Sequence, residues 1–270
     1  MNATSIKEIQ QVKSLYDRFY LNKTITNCYL TNEYLESQIE KEALFYTTTE
    51  NNLFLYVRKI ECYHLFYFIN CFDELVNVGM DLPVSMEIIY RGEKNFPDKI
   101  VNFWQLNGFQ KHLIRDNLIA NYSNIPLMKH ESKDVLISLA NESDASVLHD
   151  IYAASFDIYT GDMLSLQEIK DKIQSEQIIC AYHDDKFCGF LEFELKNNNV
   201  WLNHVAVSEN FRGMGISNLL IAAYVNLNKI NETTKYQLWV IQDNIAAVNL
   251  YKKFGFVYNN KSTISMLKQN

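Results

Sequence analysis

Gly213 and Gly215 stand between an apolar stretch that ends Val205-Ala206-Val207 and the run Ile216-Ser217-Asn218-Leu219-Leu220. Period-two spacing before the glycines and helical spacing after them predict a strand that turns sharply into a helix. The first turn of a helix carries N–H groups with no intrahelical partner, and the helix dipole favours negative charge there. Such a turn suits a pyrophosphate. Gly213 and Gly215 let phosphate oxygens approach the main chain, Arg212 adds a charge-assisted donor at the entrance, and Ser217 offers a hydroxyl. Glycines at a strand-to-helix turn also occur without any ligand, so the flanking residues must decide.

A second candidate lies downstream, in Leu238 to Gln242 followed by Asn244-Ile245-Ala246-Ala247-Val248-Asn249-Leu250-Tyr251-Lys252-Lys253-Phe254-Gly255-Phe256. Asn244 caps a helix and Gly255 ends it, which needs no ligand. Tyr251 is different. Leu250 and Phe254 are expected on the core face, and Tyr251, offset from Leu250 by about 100°, is expected to aim its hydroxyl into a cleft.

The elements that must position these residues alternate along the second half. A strand at Val135–Leu139 precedes helices at Ala145–Ser155 and Ser165–Gln174. Strands at Gln177–His183, Lys186–Leu195 and Val200–Val207 then form an antiparallel meander, with the third strand entered after the Asn197-Asn198-Asn199 break. Helix Gly215–Leu227, strand Tyr236–Gln242, helix Ile245–Phe254 and a strand near Thr263–Leu267 complete the half. In the first half, helices are expected at Ser5–Tyr20, Asn32–Ala43 and Phe96–Leu106. Strands are expected there at Leu53–Lys59, Tyr63–Asn70 and Pro83–Tyr90. Broken periodicity near Asn121–Lys129 suggests two domains, residues 1–124 and 125–270.

Composition limits the function classes. An apolar fraction of 48% with 21% charged residues is that of a folded globular chain. A formal net charge of -7 argues against a nonspecific grip on nucleic acid or an anionic membrane. Cys28, Cys62, Cys71, Cys180 and Cys188 show no metal-ligand spacing and read as free thiols, so no metal is expected. The start shows no secretory signal and no run spans a bilayer, so the expected location is the cytoplasm.

Taken together, the two stretches resemble motifs A and B of the GNAT family of N-acetyltransferases. Motif A reads Arg or Gln, two residues, Gly, one residue, then Gly or Ala; here these are Arg212, Gly215 and Ser217, the serine departing from the pattern. Motif B is a strand followed by Asn-x-x-Ala-x-x-Leu-Tyr-x-x-x-Gly-Phe. The resemblance covers roughly Asp134 to Leu267. It implies an α+β fold, with a mostly antiparallel mixed sheet, two strands splayed apart and helices on its faces. It further implies acetyl-CoA as cosubstrate, gripped at its pyrophosphate by Arg212, Gly213, Met214, Gly215, Ile216 and Ser217. Pantetheine would lie along Val205, Ala206 and Val207 with contacts from Asn244 and Ala247, and Tyr251 would protonate the departing thiolate. The acceptor amine, on a small molecule or a protein, is not specified; the acidic net charge favours a cationic one. The positions where some relatives carry a basic glutamate hold Trp201 and Trp239. Glu192, Glu194, His204 or a water chain remain for that role, and period two places His204 on the face away from Val205 and Val207. A non-catalytic acyl-CoA-binding module, or another nucleotide in the same turn, stays open.

The first half carries an echo. Asp98 to Phe109 parallels Ile245 to Phe256 at an offset of 147 residues, with Trp104 in the place of Tyr251 and Pro97 in the place of Asn244. No glycine turn precedes it. This half is expected to be a smaller, degenerate GNAT-like domain that does not bind acetyl-CoA and instead shapes the acceptor site or a homodimer contact.

Overall fold

The computed structural model describes residues 3–76, 78–126, 132–196, 198–229 and 234–269, except for the side chain of Glu93. Part of the expected linker, residues 127–129, and Asn197 of the expected break lie outside the described residues. The chain forms two compact units, Met1–Ile114 with Ser262–Asn270, and Arg115–Lys261. The sequence placed the division between residues 124 and 125.

The first unit contains β1 (Thr4–Ser5), α1 (Ile9–Phe19), β2 (Ile25–Thr26), α2 (Asn32–Glu40), β3 (Leu44–Thr48), β4 (Leu53–Arg58), β5 (Tyr63–Ile69), β6 (Val84–Tyr90) and α3 (Asp98–Leu106). A strand follows, β7 (Gln110–Asn121). The second unit continues with β8 (Leu136–Leu139), α4 (Ala145–Ser155), α5 (Leu166–Gln174), β9 (Ile178–His183), β10 (Lys186–Lys196) and β11 (Asn199–Val207). It closes with α6 (Ile216–Leu227), β12 (Lys235–Ile241), α7 (Ile245–Lys253) and the start of β13 (Val257–Lys268). The elements expected in the second half are all present, and the final strand is longer than its five expected residues. In the first half β1, β2, β3 and β7 were not anticipated. The helix expected from Ser5 begins only at Ile9, where the Glu8 and Gln11 side chains form a capping box.

The sheet of the second unit runs β8-β9-β10-β11-β12-β7, antiparallel except for the β11/β12 pair. One core packs α6 and α7 on one face through Ile216, Leu220, Tyr224, Tyr251 and Phe254. A second core packs α4 and α5 through Leu148, Tyr152 and Ile169 against Cys180 and Phe190. The alternation of the strands supplies both faces at once. In the first unit the order is β1-β3-β4-β5-β6-β13 with β2 beside β5, and only β5/β6 is parallel. Each half of the sequence therefore gives its last strand to the sheet of the other unit: residues 115–121 of β7 pair with β12, and residues 262–268 of β13 pair with β6.

The repeat suggested by one short motif extends further in space. Helices α3 and α7 have nine residues each, β7 and β13 twelve each, and both pairs are offset by 147. The passages of the chain between units, after Ile114 and after Lys261, share that offset. Trp104 is fully buried among Phe54, Tyr67, Phe103 and Phe109.

Gly108 and Gly255 end α3 and α7 in the left-handed region, at φ 86° and 77°. A β-carbon on Gly255 would lie 2.6 Å from the Asn124 carbonyl oxygen, whereas one on Gly213, at φ 84°, meets open space. Gly255→Ala is expected to destabilise the protein by about 2–4 kcal/mol, combining backbone strain with overpacking. Gly213→Ala should cost only the strain, about 1–2 kcal/mol. Urea unfolding of both variants checks this; equal losses would show that the crowding at Gly255 carries no weight.

Candidate active site

The site begins where two parallel strands part. β11 and β12 are paired from Asn199–Lys235 to Leu202–Leu238 and no further, although both strands continue. Their outer edges stay engaged to the end, β11 on β10 through Val207–Gly189 and β12 on β7 through Ile241–Arg115. The main chain of residues 203–207 thus faces a gap across from residues 239–241. Parting coincides with a bulge in β11: His204 opposes Glu192 and Leu202 opposes Phe193, so Asn203 is the extra residue that turns the strand.

Alternation then fixes which groups face the gap. Ser208 N–H donates to the Cys188 carbonyl on the β10 side at 2.8 Å. The N–H and C=O groups of Val207 and Val205 therefore point the other way, into the gap, while those of Ala206 point to β10. Ala206 packs its methyl on the α4–α5 core.

Beyond Val207 the chain reaches Arg212 in an extended conformation, passes Gly213 and Gly215 at positive φ, and enters α6 at Ile216. Gly215 caps the helix through its carbonyl, which accepts from the Asn218 and Leu219 N–H groups. Among the described residues, the amides of Gly213, Met214, Gly215, Ile216 and Ser217 donate to no protein acceptor. Ile216 anchors the helix in the core, so only its main chain is on offer. The Arg212 guanidinium rests on Glu209 at 3.2 Å; both side chains are solvated, so the pair exchanges readily for a better anion. The result is an outward row of donors at a helix N-terminus, with nothing crowding either glycine.

α7 brings the second set of residues. The Asn244 carboxamide oxygen accepts from Ala247 N–H at 3.1 Å, so that oxygen and that amide serve the cap. Lys253 donates to Asn218 at 2.9 Å and ties α7 to the start of α6. Tyr251 is 4% exposed and shares one core with Val205, Val207 and Ala247. Contrary to the face expected from helical spacing, Tyr251 is buried along with Phe254, and Leu250 only partly so. Tyr251 and Phe254 both enter the core shared with α6 and the sheet, so this short helix buries more than one stripe. Burial pushes the Tyr251 phenol well above its ordinary value, so it stays protonated. No hydrogen bond to its hydroxyl occurs among the described residues.

Under the bulge lies a buried ionic cluster that sequence spacing did not reveal. Glu192, 1% exposed, accepts from Lys172 Nζ at 2.6 Å, His204 Nδ1 at 2.7 Å and Asn203 Nδ2 at 2.9 Å. His204 Nε2 meets the Gly161 carbonyl at 2.6 Å, and its ring sits against Phe156 and Tyr152. Arg115 donates twice to Thr160, and Asp157 accepts from Tyr159 N–H and Thr160 N–H. Together these bonds hold the turn after α4 in one shape. His204 lies on the face away from Val205 and Val207, as alternation required. Glu194 pairs with Lys196 at 2.9 Å, and Trp239 carries Lys261 over its ring at 5.4 Å. Gly161 lets that turn close, since a β-carbon there would lie 2.4 Å from the Asp157 carbonyl oxygen.

No helix of the described residues is long and apolar enough to cross a membrane. Residues 146–256 match the sequence model of the acetyltransferase (GNAT) family. A stretch of 89 residues is 27% identical to the spermine/spermidine N(1)-acetyltransferase of Bacillus subtilis strain 168, covering 30% of this chain and 59% of that protein. The chain thus spans 59% of the length of the curated relatives it matches. Two solved structures share the fold across most of the chain. A tandem GNAT protein from the clavulanic acid biosynthesis pathway gives a TM-score of 0.62 at 9% identity, covering 99% of this chain and 98% of that one. A GCN5-related N-acetyltransferase from Sphaerobacter thermophilus gives 0.60 at 10% identity, covering 89% and 86%.

Burial raises the Glu192 carboxyl, but the hydrogen bonds and charges of His204 and Lys172 outweigh it and hold the carboxyl below its ordinary value. A lowered folded value means stability that is present above the unfolded carboxylate range, near pH 4.3, and lost as pH falls through the folded value. Glu192→Gln should flatten that acid-side loss of Tm, and Glu192→Ala should cost about 3–5 kcal/mol by leaving the Lys172 ammonium and the buried His204 ring without the carboxylate they share. Thermal unfolding between pH 3 and 7 checks both; an acid limb unchanged in Glu192→Gln contradicts the assignment.

Proposed function

Residues 146–256 form a domain of the acetyltransferase (GNAT) family, and on that premise we propose that this chain is an acyltransferase that moves an acetyl group from acetyl-CoA to a primary amine. One observation carries the reading: the gap between β11 and β12 opens beside the unpartnered amides of residues 213–217. A ligand with a pyrophosphate at one end and secondary amides along its arm fits both. In this reading the amides of residues 213–217 hold the pyrophosphate with Arg212 at the entrance, and Val205 and Val207 pair with the pantetheine amides. Asn244 and Ala247 border that arm from α7. An outward N–H in the gap stabilises charge developing on the thioester oxygen; the uncharged amine forms its C–N bond as the C–S bond breaks, Tyr251 gives its proton to the departing sulfur, and the proton the amine sheds leaves through water, from which the phenol is restored.

The acceptor we favour is a cationic amine of the polyamine kind. Support comes from the net charge of -7 and from the name of the Bacillus subtilis relatives. Five free cysteines, three of them buried, suit a reducing cytoplasm. A second reading, an acyl-CoA-binding module without turnover, is favoured by Trp201 and Trp239 standing where some relatives carry glutamate, and by Glu192 and His204 both being fully engaged.

Purified full-length protein should release CoA from acetyl-CoA with spermidine or spermine faster than with neutral amines. Tyr251→Phe should bind CoA within about twofold of the wild type but lower transfer by roughly 10²-fold or more. An unchanged transfer rate in Tyr251→Phe at every pH removes Tyr251 from the mechanism. CoA binding with no amine turned over would select the second reading.

A further inference from the structure

The first unit repeats the parting of strands, and its own chain partly fills the opening. β5 and β6 pair only at Tyr63–Val84 and His64–Ser85, then diverge. β2 lies antiparallel on the freed edge, with Ile25 opposite Ile69 and Thr26 opposite Phe68. Asn27 completes the plug: its carboxamide donates to the Leu65 carbonyl at 3.1 Å and the Glu87 carbonyl at 3.0 Å, and accepts from Tyr67 N–H at 2.8 Å. Those are main-chain groups that a pantetheine arm would need. No helix follows β5 before β6 among the described residues, so no row of helix-start amides is present for a pyrophosphate either.

What remains is a cavity of about 350 Å³, at the lower end of small-molecule site sizes. Its walls include Ile25, Tyr67, Ile88, Ile89, Phe96 and Ile100, and its rim carries Asp98 and Lys99, whose charges oppose each other. One polar feature faces inward. Because the Glu87 carbonyl points into the opening, strand alternation sends the Ile89 N–H and C=O the same way, turned from the partners Ser265 and Thr263 in the β6/β13 ladder. Asn27 does not extend to them.

We infer that this cavity is a second ligand site, which takes a compact neutral amide bearing an aromatic or branched apolar group, docked edge-on to the main chain of Ile89. An amide supplies one donor and one acceptor at strand spacing, and the apolar group fills the walls of Tyr67, Phe96 and Ile100. The geometry is that of the first unit alone, so failure of acetyl transfer leaves it standing.

The probe is N-acetylphenylalaninamide, titrated into ¹⁵N-labelled full-length protein. Saturable shifts of the Ile89 amide are expected, with a Kd on the order of 1 mM as suits a fragment of this size. Ile25→Trp places bulk at the exposed edge of the cavity and should weaken binding at least tenfold, with the remaining spectrum unchanged. Shifts absent at Ile89, or equal affinity in a folded Ile25→Trp, would overturn the inference. CoA shifting the same Ile89 signal would also overturn it, since the plug is argued to close this opening to that ligand.

Discussion

The structure of the second unit turns on the failure of β11 and β12 to stay paired past Leu202 and Leu238. A parallel pair normally satisfies the facing edges of both strands; here the edges are held apart by ladders on their outer sides and by the bulge at Asn203. Unpaired main chain is costly where it is buried, so it persists only where solvent or a ligand can take its place. The Glu192 cluster, two strands of ladder and the α6–α7 packing all serve to keep that opening fixed.

The two units offer a comparison under nearly the same plan. In each, one parallel pair diverges and a nine-residue helix follows the second strand of the pair. In the second unit the strand before the gap leads into glycines at positive φ and then a helix; in the first it leads into irregular chain, and Asn27 takes up the edge groups. Trp104 fills the place that Tyr251 holds, with its ring locked among four aromatics and its buried Nε1 meeting no acceptor among the described residues. The two openings thus differ in one glycine turn and one plug, and so present different main-chain groups.

The second half was legible because its chemistry and its folding signals coincide in sequence. Gly215 starts a helix and Gly255 ends one, and each falls within one of the two stretches that carry the candidate residues. The first half was harder to read for physical reasons. β7 shows no clean alternation because its successive segments lie in different units, with only Asn117, Leu118 and Ala120 buried. β2 is two residues long, and its importance rests on the side chain of Asn27, which no periodicity announces. Lys172, Glu192 and His204 come together only through the register of β10 on β11 and the return of α5. Tyr251 is buried in a core to which α6 and the sheet also contribute, and spacing along one helix does not encode that.

The central claim is that the parted edge of β11 and the amides after it form one binding surface. Amide hydrogen exchange with and without CoA tests it most directly. The account predicts slowed exchange at Val205, Val207 and residues 213–217, with residues 65–89 unaffected; exchange unchanged at residues 213–217 under saturating CoA would contradict it.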